Sequence, residues 1–184
     1  MHGRRAPVGT RLSLQEVSTR CPSGRAARKL RGPDVLPGEQ RENYEARVKG
    51  SRKLRRFIDD ARLQHIACPR KYLHELPKKF RHHGQAAYVL VVERLDILGK
   101  EESARRYHDV ADPVLRDLLR VLVKFKGLDS NSKNVQFTKG GQIAFVDLEN
   151  WGRTDRDEVR LKSIGTYLSK DRLRLAREIL DELE

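Results

Sequence analysis

The stretch Gly127 to Trp151, GLDSNSKNVQFTKGGQIAFVDLENW, constrains the fold of this chain more than any other. Val135–Phe137 and Ile143–Val146 are short β-rich runs, and Gly140-Gly141 between them is a favoured two-residue hairpin turn. With that turn, Thr138 faces Ile143, Gln136 faces Phe145 and Asn134 faces Asp147. Opposed side chains in an antiparallel pair share a face, with Cβ atoms roughly 4.5–5.5 Å apart. The hairpin then gathers an amide oxygen and a carboxylate at its open end, and Asp129 lies on the loop just before it. Hard oxygen ligands of this kind suit Mg²⁺, which is usually held by a few protein oxygens plus substrate phosphates. A four-residue turn would instead place Asn134 opposite Phe145. The simpler alternative is that Asn134 and Asp147 only flank a surface hairpin, because polar residues commonly end strands.

A helix leads into this stretch. Asp112 is expected at its N-cap and Pro113 at its first position. Val114, Leu115, Leu118, Leu119, Leu122 and Phe125 make one apolar face, and Gly127 ends the helix. Upstream, Ala86–Leu98 (AAYVLVVERLDIL) is the strongest strand, with the near-continuous apolar run expected of burial on both faces. Ser103–Val110 is a polar helix or loop. From Gln40 to about Ala67 apolar residues recur at mostly helical intervals, with Gly50-Ser51 as an expected kink and Pro69 beyond the end. KYLHEL, starting at Lys71, is a short strand or turn. Two further helices are expected at Asp155–Leu168 and Lys170–Glu184, with Thr154 and Ser169 as N-caps.

Asp129 and Asn134 fit the spacing D-x-x-x-x-N, and Asp147 follows the hairpin. In this the segment from Gly127 to Glu149 resembles the catalytic loop of the protein-kinase-like superfamily. The order of elements, strand, hinge, helix, loop, hairpin and acidic residue, extends the resemblance over about 40–184. It implies an α+β, kinase-like fold with a mostly helical large lobe over 93–184 and a reduced small lobe over 41–92. It implies Asp129 as the catalytic base and Asn134 and Asp147 on Mg²⁺. It also implies ATP held at the hinge through the carbonyl of Glu93 and the N–H of Leu95. The sequence departs from the pattern in several places. Gly127-Leu128 stands where a His-Arg pair is usual, Asn131 where Lys is usual, and Leu148-Glu149 follows Asp147. No G-x-G-x-x-G occurs, and Lys29 lies in no strand-like run. Glu42 and Glu45 match the family's helix-borne Glu by location alone, and ordinary solvated charges is the stronger reading of both.

The expected function is therefore phosphoryl transfer from Mg-ATP to an acceptor that the sequence does not name. The alternatives are a catalytically degenerate kinase-like binding protein and a basic nucleic-acid-binding protein. Charge bears on the last. The chain of 184 residues has net charge +13, yet residues 84–184 hold 18 Lys/Arg and 18 Asp/Glu. The whole excess lies in residues 1–83, with 21 Lys/Arg against 8 Asp/Glu. An acidic or nucleic-acid partner fits this excess, as does a solubilising extension. Residues 1–40, rich in Arg, Gly, Pro and Ser, read as disordered or irregular. Only Tyr44, Phe57, Tyr72 and Phe80 interleave with the basic residues of 41–83, too few for a stacking platform. Cys21 and Cys68 match no disulfide framework, and His74, His82 and His83 fit no zinc spacing. No apolar run is long enough to span a bilayer. With no secretory signal in the sequence, a cytoplasmic location is the default expectation.

Overall fold

The computed structural model describes residues 37–77, 88–125, 127–128, 130–131, 133–148, 161 and 164–183. Asp129, Glu149, Trp151, Thr154, the KKFRHHG segment and residues 1–36 of the basic segment lie outside them. So do most residues of the helix expected over Asp155–Leu168.

The fold is α+β, with helices α1 (Pro37–Asp60), α2 (Lys100–His108), α3 (Asp112–Lys124) and α4 (Lys170–Leu183). Strands β1 (Ile66–Ala67), β2 (Lys71–Glu75), β3 (Tyr88–Val92), β4 (Val135–Phe137) and β5 (Ile143–Phe145) form two small sheets. Strands β2 and β3 pair antiparallel, while the second sheet has the order β1-β5-β4, with β1 parallel to β5. No helix among the described residues is long and apolar enough to cross a membrane.

Helix α1 starts at Pro37, inside the segment expected to be irregular, and ends seven residues before Ala67. It runs unbroken through Gly50-Ser51, where a kink was expected. Both residues are buried, and Ser51 Oγ donates to the Pro69 carbonyl at 2.6 Å. A small residue there lets the strand-side backbone pack close to the helix. Past Asp60 the chain turns through Arg62, whose φ is +53°, and enters β1. His65 then fixes this corner to α3. Its backbone N–H and its ring Nδ1 both meet Asp117 Oδ2, at 3.2 and 2.8 Å. Beside β5, Ile143 N–H donates to the His65 carbonyl.

The core lies between α3, α4 and the three-stranded sheet. Leu115, Leu118, Leu119, Val121, Val135, Ile143, Phe145, Ile164 and Ile179 are buried in it. The apolar face of α3 is as the 3.6-residue period predicts, widened by Val121. Its N-cap is Ala111, so Asp112 is the first helical residue, with Pro113 in the first turn. Asp112 instead pairs with Arg172 of α4, and Arg116 pairs with Glu182 at 2.7 Å. Ser169 does cap α4, accepting from the Arg172 N–H at 3.3 Å. Residues 164–168 form turns rather than the end of a helix. Gly165, a poor helix former, is the second of them.

Helix α2 covers the outer edge of β4. Ser103 Oγ accepts from the Phe137 N–H at 2.9 Å, and the Tyr107 hydroxyl donates to the Val135 carbonyl at 3.2 Å. Those two side chains are one helical turn apart, and both are buried. They meet the backbone groups that an edge strand would otherwise leave open.

Strand β3 is shorter than the Ala86–Leu98 run and is not buried on both faces. Its residues 88–91 are half-buried and Val92 is exposed. Among the described residues its sheet has two strands, and residues 89–92 line a cavity. That cavity bears on function.

Candidate functional site

The hairpin that carries Asn134 and Asp147 closes differently from the two-glycine turn. Val135 pairs with Phe145, Gln136 with Ala144 and Phe137 with Ile143. Thr138 N–H donates to the Gln142 carbonyl at 2.7 Å, and Gly141 N–H to the Thr138 carbonyl at 3.0 Å. The loop therefore has three residues, Lys139, Gly140 and Gly141. Such loops combine a type I turn with one residue in the left-handed region. Gly141 is that residue, at φ +87°, and Gly140 has no positive φ. The Thr138 hydroxyl favours this closure by accepting from the Gln142 N–H at 3.1 Å.

One residue more in the loop shifts the register by one. Asn134 consequently lies across from Val146, whose N–H donates to the Asn134 carbonyl at 2.8 Å. The expected Asn134–Asp147 opposition is thus corrected: Asp147 is the next residue along. The hairpin still brings Asn134 and Asp147 to the same open end.

A cavity of about 650 Å³ adjoins that end. It is lined by Pro69, by residues 89–97 and by Val146, so the residue before Asp147 forms part of its wall. Its size falls within the range of about 300–1,000 Å³ typical of small-molecule sites. Val92 and Ile97 present exposed apolar surface to it. Segment 93–98 is held in place at both ends. Glu93 N–H donates to the Arg70 carbonyl, Arg70 N–H donates to Glu93 Oε2, and Leu98 N–H donates to the Phe137 carbonyl. Lys139 N–H meets the Asp96 carbonyl near the hairpin tip. These bonds use the N–H of Glu93. Leu95 takes part through its carbonyl, which accepts from Ile97. The Glu93 carbonyl and the Leu95 N–H, the pair expected to hold adenine, stand outside them.

One cation reaches Asp147 and a second reaches the residue before it. Arg47 on α1 approaches Asp147 Oδ2 at 3.5 Å. Lys71, the first residue of β2, is 4% exposed and donates from Nζ to the Val146 carbonyl at 2.6 Å. Burial pushes the Lys71 pKa down, Asp147 and the Cys68 thiol act to raise it, and Arg47 lowers it. The position of Lys71 follows from register. It pairs with Val92, and the alternation that exposes Tyr72 turns Lys71 inward. Neither Lys71 nor Arg47 was among the residues singled out from the sequence. Glu45 pairs instead with Arg41, and Glu42 is exposed.

The Asp147 carboxylate is a third exposed. In the observed register Asn134 shares its sheet face with Val146, and Asp147, one residue on, alternates to the other face. Among the described residues no three His, Cys, Asp or Glu side chains gather as a metal cluster. Cys68 is buried with a free thiol, and burial raises its pKa. No family model, curated protein or solved structure matches the chain.

Proposed function

We propose that this chain is a kinase-like protein that binds ATP in the cavity beside β3 and transfers its phosphoryl group to an acceptor. The observation that carries this reading is the cavity itself. It is lined by residues 89–97 of β3 and the segment after it, by Pro69 and by Val146, the residue before Asp147. A cavity of this size with a mixed apolar and polar wall, one wall residue adjoining Asp147, suits a planar base at one end and phosphates at the other. In this reading Asn134 and Asp147 hold Mg²⁺, which would neutralise charge on the transferring phosphoryl group. Asp129, outside the described residues, takes the acceptor's proton. The ion pair of Arg47 with Asp147 must then open when Mg-nucleotide arrives. Both side chains are partly exposed, and such pairs are worth about 1 kcal/mol or less, so opening it costs little.

The same ion pair favours a second reading, a degenerate member that binds nucleotide without turning it over. Titration with ATP tests the shared part. Saturable binding is expected, and Val92→Trp, which fills the exposed mouth of the cavity, should abolish it while the fold persists. Unchanged binding by that variant would refute the cavity as the site. Turnover separates the two readings: Asp129→Ala should lower phosphoryl transfer by about 10²- to 10⁴-fold if the chain is an enzyme.

A further inference from the structure

We infer that the exposed face of α1 formed by Lys49, Arg52, Lys53 and Arg56 is a docking surface for the phosphate backbone of duplex DNA, bound without regard to base sequence. The inference is independent of the nucleotide reading, since none of the four residues lines the cavity beside β3.

The surface follows from helical spacing. At 3.6 residues per turn Lys49, Arg52 and Arg56 fall within an arc of about 60°, and Lys53 widens it to about 100°. All four are exposed. Gly50, Ser51 and Leu54 point the other way and are buried, and Phe57 meets Phe125 of the core edge-on at 5.5 Å. The cations are therefore presented on a packed element. Between Glu45 and Asp59 the helix carries Arg47, Lys49, Arg52, Lys53, Arg55 and Arg56 and no acidic residue. Lys49, Arg52 and Arg56 form no ion pair among the described residues, whereas Arg41, nearer the helix start, pairs with Glu45 at 2.8 Å. Like charges three and four residues apart on a helix repel, so the face is destabilising until an anion lies over it.

The other residues of α1 select the anion. Helices that lie on lipid set large apolar side chains beside their cations. Here the exposed large apolar residues, Tyr72, Val92 and Ile97, are all outside α1. Single strands are held by bases stacked on exposed aromatic rings, but Tyr44 and Phe57, the aromatic residues of α1, are half-buried. Reading base edges or 2′-hydroxyls takes amide or hydroxyl groups. Between Glu45 and Asp59 Ser51 is the one residue with such a group, and it is buried and bonded to the Pro69 carbonyl. Charge alone remains, and it matches backbone phosphates. Lys49 to Arg56 spans about 10 Å along the axis, close to the ~12 Å width of the B-DNA major groove, so the cations at its two ends reach phosphates on both walls. The deep, narrow major groove of duplex RNA lacks that width.

The test is fluorescence anisotropy of a labelled, mixed-sequence DNA duplex with the full chain at about 50 and about 200 mM salt. Three or four phosphate contacts predict an affinity loss of about 40- to 150-fold over that range. The double variant Arg52→Gln/Arg56→Gln should bind about tenfold or more weakly at the lower salt and reduce the log–log salt slope by about two. Both side chains are exposed, so this variant should fold, which circular dichroism checks. Lys139→Gln/Arg174→Gln removes the same charge from exposed positions on the hairpin tip and α4, and should bind as wild type does. Equal losses in the two double variants, or no loss in the α1 variant, overturn the α1 surface, because net charge or another segment then does the binding. Tighter binding to duplex RNA, to single-stranded DNA or to phosphatidylserine vesicles overturns duplex DNA as the partner. No binding at the lower salt overturns the inference outright.

Discussion

Replacing Gly141 and Gly140 one at a time with Ala tests the register of the hairpin, and with it the position of Asn134 relative to Asp147. Gly141 has φ +87° and open space around its missing Cβ, so the cost of Ala there is purely backbone. The left-handed region costs an L-residue roughly 1–2 kcal/mol. Ala also restricts the unfolded chain, which returns about 0.4–1 kcal/mol. The net loss should lie between about 0 and 1.6 kcal/mol, centred near 0.8 kcal/mol. In a chain of this size 1 kcal/mol moves Tm by about 2–4 °C. At Gly140 a Cβ would meet the Thr138 hydroxyl at 3.7 Å, an ordinary contact, and no positive φ is required. Gly140→Ala should therefore be neutral or slightly stabilising. Gly141→Asn should fall between Gly141→Ala and wild type, since Asn tolerates the left-handed region. Urea unfolding of the three variants measures all of this. Equal losses at Gly140 and Gly141 would mean a two-residue turn, and Asn134 would then face Asp147.

Tyr107→Phe removes the hydroxyl that meets the Val135 carbonyl and should cost about 1 kcal/mol at neutral pH by urea unfolding. Burial raises the Tyr107 pKa above its ordinary value of 10.0, so the folded state favours the protonated phenol. Its stabilisation is full below pH 10 and falls as pH rises beyond it, and wild type should then lose stability faster than the Phe variant. A parallel pH profile for the two proteins would show that this phenol ionises in the folded state as it does in the unfolded one. Cys68 is 8% exposed with a raised pKa, so iodoacetamide should label it slowly in native protein and rapidly in urea. Fast native labelling would mean that the α1–β2 contact opens readily.

Local patterns in the sequence were enough for the elements whose signal is periodic or terminal. The apolar stripe of α3, the Ser169 cap of α4 and the two short strands of the hairpin all follow from nearest neighbours. The register did not, because Gly-Gly fits both a two-residue turn and the last two places of a three-residue loop. The Thr138 hydroxyl, which helps to choose between them, carries no such meaning in the sequence alone. The apolar run of β3 was open to a second reading too. Continuous apolar character marks burial on both faces or burial on one face with a cavity on the other. Arg47 and Lys71 looked like two among many solvated cations. Only long-range packing brings Arg47 of α1 to Asp147 and Lys71 of β2 to the Val146 carbonyl. Such long-range pairing leaves no local signature. For Lys71 a signal was present in principle: strand alternation in KYLHE puts it on the face opposite Tyr72.

The most direct test of the account is one titration: ATP into wild type and Asp147→Ala, each with and without Mg²⁺. Wild type should bind ATP without metal, and more tightly with it. Asp147→Ala should lose the gain from Mg²⁺ yet keep metal-free binding. ATP binding that is indifferent to Mg²⁺ and to Asp147, or no binding at millimolar ATP, would contradict the account.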